Sequence, residues 1–468
     1  MERVRLGRFA LLAAAVVAVV IFLVTRGGSP PPALQPGAAQ RGVAGDPLAW
    51  SPARSADDAR RAADGLSHVL YVKSPGGMVA SAKATARWRP LIDRVARATG
   101  ADANTLEAIV LLESAGRADV QATTSLQGAV GLTQILAETG RDLLGMHVDV
   151  AASTRLTRRI ARAELRRRPG LAQRLRAARS RADERFDPRR SLLATARYLA
   201  IAKARLGRDD LAVAAYHMGI GNLRHALSLY GAPGAVPYVR LYFDSTPQRH
   251  GAAQRFLARL GDDSSTYLWR VQAARQVMRL LRTDPGELAR RARLQTAHDS
   301  AEVLLDPASD TKVFADPDAL SSAYHAGDLV APPAAYLHAH GVVLDPAPSR
   351  YRGLRREALA TLAYIGAQVR EISHARAPLR VARTVLDGQL SRDDLQAVDG
   401  YSVHATGYAF DIARAYASHA QAEAFQFVLD RLTALDLIAW SREPTAIHVA
   451  VAHDAQLLEQ PMGVRGGP

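Results

Sequence analysis

Two stretches decide how this chain is read: Glu113-Ser114 followed by Ser125-Leu126-Gln127-Gly128-Ala129-Val130-Gly131-Leu132-Thr133-Gln134, and Ala214-Ala215-Tyr216-His217-Met218-Gly219-Ile220-Gly221. Glu113 closes the apolar run Ile109-Val110-Leu111-Leu112, so a helix here carries it in its last turn with the core behind it. An apolar setting disfavours the charged form of a carboxyl and raises its pKa. A lone glutamate at a helix end usually faces solvent; the loop that follows changes that weighing. Gly128, Ala129 and Gly131 are types demanded where a backbone approaches a ligand or another strand closely. Gln134 adds a neutral amide suited to hydroxyl and acetamido groups. Asn104 is the N-cap candidate for the helix, with Glu107 three residues later as capping-box partner.

Outward from this stretch the pattern is helical. Leu91, Val95 and Ala98 lie on one face, and Leu106, Ile109, Val110 and Leu112 on the next. Helical signals resume after Asp187-Pro188 over residues 192–206, 211–216 and 267–281, with almost no strand-like alternation between them. Asp284-Pro285-Gly286 marks a stop, and residues 288–345 are heterogeneous, with Pro332-Pro333 inside them. A second unit starts near Tyr351. Residues 354–372 and 421–435 have helical spacing, Leu379-Arg380-Val381-Ala382-Arg383-Thr384-Val385 alternates like a strand, and Ile447-His448-Val449-Ala450-Val451 reads as a closing strand. This mixture implies α+β.

At 468 residues the chain has room for two or three domains of roughly 150 residues each, and 48% hydrophobic residues suffice for real cores. Arg3, Arg5 and Arg8 precede an uninterrupted apolar run over residues 9–24, closed by Thr25-Arg26. The run reads as an uncleaved transmembrane anchor with the remainder of the chain across the membrane, a cleaved signal peptide being the alternative. No Cys is present. That excludes a lipoprotein anchor, disulfides and thiolate chemistry, and leaves His and carboxylates for any metal. The net charge of +15 favours anionic partners, but a segment that exports the chain puts nucleic acid out of reach. The expected order is an anchor or signal at 1–26, a Pro/Gly/Ala-rich tether and unassigned segment at 27–83, a helical domain at 84–282, a connector at 283–350 and an α+β domain at 351–456. Between the motifs, residues 155–181 are dominated by arginine, with Glu164 alone as counter-charge. This reads as a solvated face, or as a contact for anionic lipid headgroups or anionic wall polymers.

At the quoted stretches the sequence resembles the soluble lytic transglycosylases. Their signature runs Glu-Ser, Ser-x-x-Gly-Ala-x-Gly-Leu-x-Gln, then Ala-Tyr-Asn-x-Gly-x-Gly, and only the Asn differs, being His217 here. Tyr267-Leu268-Trp269-Arg270-Val271 resembles the family's final Tyr-x-x-x-Val element. The resemblance covers about residues 84–282 and implies a lysozyme-like helical fold, bacterial peptidoglycan as partner and no cofactor. Most glycosidases use two carboxylates, and Asp102 and Asp119 carry no specific signal for the second role. The resemblance implies instead that Glu113 acts as acid and then base, activating the sugar's own 6-hydroxyl to leave a 1,6-anhydro-muramyl end. It also implies that Ser125, Gln134 and Tyr216 shape sugar subsites beside His217, which donates one hydrogen bond when neutral.

Ser402-Val403-His404-Ala405-Thr406-Gly407-Tyr408-Ala409-Phe410-Asp411 resembles the Ser-x-His-x-x-Gly-x-Ala-x-Asp motif of zinc D,D-carboxypeptidases acting on peptidoglycan stems. That resemblance implies zinc on His404, Asp411 and His448, Glu443 as base and Arg383 as the arginine that steadies substrate. Glu443 lies five residues before His448, with Pro444 between, where the family spaces the pair by three. The expectation is an envelope enzyme, anchored by its N-terminal helix and facing outward, that cuts glycan strands and trims or binds stem peptides. The alternatives are a wall-binding scaffold with both sites silent and a lysozyme-type hydrolase.

Overall fold

The computed structural model describes residues 46–232, 235–261, 263–296, 301–306, 311–389, 397–398 and 401–464. The expected anchor and the first part of the tether lie outside these residues. Among the described residues no helix is long and apolar enough to cross a membrane.

The first unit is helical. Its central helix, Ala103–Ser114, buries every side chain from Thr105 to Leu111, and so packs on all sides instead of presenting one stripe. Arg89–Thr99, Pro188–Leu206 and Tyr267–Thr283 are among the helices that surround it. The N-cap is Asp102, not Asn104: its carboxylate accepts from the Asn104 and Thr105 amides. Glu107 is no capping-box partner either. It is buried, with Arg89 Nη1 at 2.9 Å and Arg282 Nη1 at 2.8 Å. A carboxylate facing inward found arginines on two neighbouring helices, a pairing no local spacing reveals. The arginine-rich segment forms a hairpin of two helices, Val150–Leu165 and Pro169–Ala182, closed on its own small core of Ile160, Ala163, Ala172 and Leu175.

The C-terminal unit holds a five-stranded sheet in the order β1-β2-β5-β7-β6, with β1 Val342–Leu344, β2 Leu379–Arg383, β5 Ala409–Ala413, β6 Ile438–Arg442 and β7 Ala446–Val451. A separate ladder pairs β3 Ala397–Val398 with β4 Tyr401–Ser402. β1 runs parallel to β2 and the remaining pairs are antiparallel. Phe410, Ile412, Ile447, Val449 and Val451 join one core with the helices Arg356–Ser373 and His419–Ala434. Because side chains alternate along a strand, Asp411 and His448 stand on the opposite face. β7, expected to close the sheet, lies inside it between β5 and β6.

The connector and the tether differ from their expected parts. β1 falls within residues 283–350 and supplies a strand of the sheet, and Phe314 is fully buried, its amide donating to the Ala405 carbonyl. Residues 46–83 are integral. The helix Ser55–Gly65 packs against both Tyr267–Thr283 and His419–Ala434. Gly65 sits so close to the Thr433 carbonyl that no Cβ fits, and Asp46 reaches Arg431 at 3.3 Å and Tyr364 at 3.1 Å. The segment clasps the two units together. The helical spacing over residues 55–73 signals a helix but not its partner, which is why the sequence assigned the segment to neither unit.

Candidate functional site

Glu113 projects from the last turn of the central helix. Ala115 caps that helix in the left-handed conformation (φ 51°), and Ser114 fixes the geometry by donating to the Leu132 carbonyl at 2.7 Å. The adjacent Ser therefore ties the end of the acid's helix to the signature loop. Within that loop Gly131 (φ +82°) lies against the Arg185 backbone with no room for a Cβ. Arg185, fully buried, pairs with Asp183 at 2.8 Å and donates to the carbonyls of Leu126, Gly128 and Ile135. One guanidinium thus collects three loop carbonyls. The sequence reading missed it because one more arginine beside an arginine-rich segment has no individual signal; the nearby Asp183 was the available hint.

Glu113 lines a cavity of about 290 Å³ whose other walls include Leu112, Arg117, His217, Asp263, Tyr267 and Arg270. Val69, Leu70, Lys73, Ser74 and Pro75 complete it, so the segment that sequence left unassigned forms one side of the cleft. Burial pushes the Glu113 carboxyl up to about 7, against the opposing pull of the Tyr267 hydroxyl and the Arg270 charge. Tyr267 donates to Glu113 Oε1 at 2.6 Å. Its ring stacks on Tyr216 at 6.1 Å and on His217 at 5.2 Å, giving the cleft an aromatic wall of the kind that lies against sugar faces.

Of the residues expected to bind substrate, His217 alone lines this cavity. Its ring is exposed, and Nδ1 is 2.9 Å from Ser264 Oγ. Tyr216 donates its hydroxyl to the Thr133 carbonyl at 2.7 Å, bracing the loop from behind. Gln134, in the left-handed region (φ 52°), turns its amide inward to the carbonyls of Gly131 and Val120. Ser125 is exposed on the loop, and its Oγ accepts from the Gln127 amide. Neither carboxylate considered as a second acid comes near. Asp102 caps the opposite end of Glu113's own helix, about 16 Å away at 1.5 Å per residue, and Asp119 faces Arg176 at 3.6 Å. The second carboxylate in the cavity is Asp263, paired with Arg270 Nη1 at 2.6 Å. The cleft therefore offers one carboxyl that still holds its proton in part near pH 7 and can both donate a proton and take it back.

On the far face of the C-terminal sheet, register makes Asp411 and His448 direct cross-strand partners. His404 comes from the turn Val403–Thr406, capped by Ser402 Oγ. Asp411 Oδ1 is 2.8 Å from His448 Nδ1 and 3.2 Å from His404 Nε2, and Arg383 Nε is 3.4 Å from Oδ2. All three prospective ligands are buried, with ligand atoms within 4.8 Å of one another. Burial alone would raise the Asp411 carboxyl; where both imidazoles donate to it, they hold it well below the usual range. His404 Nδ1 is 2.7 Å from the Thr384 carbonyl, which can only accept. In the neutral ring Nε2 is then a lone pair aimed at a carboxylate oxygen. His448 Nε2 is buried with no partner. Two facing acceptors beside an orphaned ring nitrogen suit a cation, and a histidine whose outer nitrogen donates to a carbonyl is the usual orientation of a ligand. The N, O, N donor set fits zinc. Glu443 sits in the β6–β7 turn, its amide bonded to the Ala446 carbonyl. Ser441 is the residue opposite His448, which leaves Glu443 about 7 Å further along the strand and outside the bonded cluster.

Residues 168–237 match the family model for the transglycosylase SLT domain. The matched segment contains the Ala214–Gly221 motif but neither Glu113 nor the loop that follows it. It supports a lytic transglycosylase-type, peptidoglycan-degrading function with a lysozyme-like fold. No curated protein matches the chain.

Proposed function

We propose that this protein cleaves the MurNAc–GlcNAc bond of peptidoglycan without water, leaving 1,6-anhydro-MurNAc, with Glu113 as the single acid/base. The observation that carries the reading is the state of Glu113: a carboxyl raised to about 7, held by Tyr267 in a cleft whose other acid is neutralised by Arg270. Protonated Glu113 gives its proton to the leaving glycosidic oxygen. The resulting carboxylate then takes the proton of the muramyl 6-hydroxyl, whose oxygen closes on the anomeric carbon. A hydrolase would need a second group to hold water on the opposite face, or a carboxylate about 5 Å away as nucleophile, and Asp263 is tied to Arg270. Digestion of purified sacculi with mass analysis of the products tests this. Anhydro ends from the wild type and none from Glu113→Gln are expected; reducing ends, heavier by one water, would sink the non-hydrolytic reading.

A second reading rests on the orphaned His448 Nε2 and the convergence on Asp411. We propose that His404, Asp411 and His448 hold zinc in a domain that trims or binds stem peptides. Bound zinc would polarise a carbonyl or acidify a water. In this chain Thr384 orients the His404 ring, and Arg383, beside a cavity of about 190 Å³ lined also by Tyr351 and Arg352, supplies a cation for a peptide carboxylate. One zinc per chain in the wild type and none in His404→Ala is the expected outcome of elemental analysis; equal metal in both rejects the site. The apolar run at residues 9–24 supports tethering to the membrane, with both sites facing the envelope.

A further inference from the structure

The arginine-rich hairpin has no part in either site, yet it concentrates eleven arginines against one glutamate over residues 155–181. Nine of the eleven are exposed, and among the described residues none of those nine has a carboxylate within 4 Å. Arg176, which does, takes both Glu164 and Asp119. Such crowding of like charge works against the folded hairpin unless an anion relieves it. The interior is already complete without the tip, since Ile160, Ala163, Ala172 and Leu175 fill it. At the base the hairpin is fastened to the body: Arg179 lies over the Phe186 ring at 3.7 Å, and the Asp149 amide donates to the Ala182 carbonyl. At the tip Leu165 is 86% exposed, followed by Arg166, Arg167 and Arg168, which the turn presents together. Its amide bonds run from Arg167 to the Glu164 carbonyl and from Arg168 to the Ala163 carbonyl.

We infer that this hairpin docks on an anionic phospholipid surface, Leu165 entering the headgroup layer and the flanking arginines pairing with lipid phosphates. A soluble polyanion would account for the arginines alone. An apolar side chain standing nearly free at the centre of a basic tip is the interfacial pattern, and guanidinium forks match phosphate oxygens. The hairpin extends about 24 Å along its first helix. Because the hairpin is fastened to the body at its base through Arg179 over Phe186 and the Ala182 carbonyl, docking would hold the proposed glycan cleft close to the bilayer, whether or not the N-terminal segment also spans it.

The chain has no Cys, so Leu165→Cys in the full-length protein takes one polarity-sensitive fluorophore, with Ala161→Cys on the shaft as control. The label is read on vesicles of phosphatidylcholine alone and of phosphatidylcholine with 30% phosphatidylglycerol. Expected are a blue shift and about fivefold protection from acrylamide quenching at position 165 on the anionic vesicles only. Both are lost in 1 M NaCl, where the screening length is about 3 Å, and in Arg166→Gln/Arg167→Gln/Arg168→Gln, whose circular dichroism should match the parent. Equal protection on both vesicle types, no protection on either, or protection that survives the triple change overturns the inference. Long-chain polyphosphate protecting position 165 as well as the anionic vesicles do would assign the face to a polyanion instead.

Discussion

Two carboxyls in this protein, one half-buried and one buried, are driven in opposite directions. Glu113 and Asp411 both leave water, and burial alone raises each. Glu113 has one neutral hydroxyl donor and a more distant cation, and burial wins. Asp411 has two imidazoles bonded to one oxygen and Arg383 near the other, and the partners win. Desolvation sets the direction only where compensation is incomplete. The incompletely compensated carboxyl suits proton transfer; the fully surrounded one suits coordination.

The most severe way to break this contrast is Glu113→Gln, expected to lower anhydro-product release by about 10³-fold, within the range for losing a general acid, while zinc content stays unchanged. A loss of zinc as well would mean that the two units are not independent. Next in size is Arg185→Met, which removes the guanidinium under the signature loop. It leaves Asp183 buried and unpaired and should destabilise the protein by about 3–5 kcal/mol in denaturant titrations. A cost under 1 kcal/mol would show that the loop does not depend on it.

The raised Glu113 pKa has a consequence for stability. The folded carboxyl holds its proton up to about 7, whereas an ordinary glutamate releases it near 4.5. The unfolded chain therefore binds fewer protons across that window, and the fold loses stability as pH rises through it. Glu113→Gln abolishes that loss, so above pH 7 the inactive variant is expected to be more stable than the wild type, by about 2 kcal/mol. Equal denaturation midpoints at pH 8 would contradict a raised pKa. Activity should decline above pH 7. Tyr267→Phe, by removing a donor that favours the charged form, should move that alkaline limb upward and lower kcat about tenfold; a limb that moves downward contradicts the assigned hydrogen bond. The smallest expected effect is His217→Asn, about threefold on KM with kcat preserved, because the exposed ring forms a wall of the cleft without touching Glu113's proton.

Much of the first site was legible because its chemistry is local. The acid follows its own apolar run, and the glycines announce a close approach without naming its partner. What stayed hidden came from distant segments. Residues 69–75 supply a wall, Arg185 the loop's support, and Arg270 the neutralisation of Asp263. Gln134 and Tyr216, read as shaping sugar subsites, hold backbone carbonyls here, bonds to other segments that their own motifs do not reveal. In the second domain the His404–Asp411 spacing was visible. The resemblance grouped His448 with them, but the cross-strand register that sets it opposite Asp411 was not readable, because register belongs to two strands at once.

The sequence by itself determined the helical first half and the α+β second half and singled out Glu113 as the candidate acid, since periodicity and an apolar flank are written in consecutive residues. Only the tertiary structure decided that residues 46–83 clasp the two units and wall the cleft, that Glu107 pairs inward, and that one carboxyl is raised while the other is depressed. Those outcomes depend on how much water is excluded and which charges arrive from elsewhere in the chain, and both are fixed by packing rather than by neighbours in sequence.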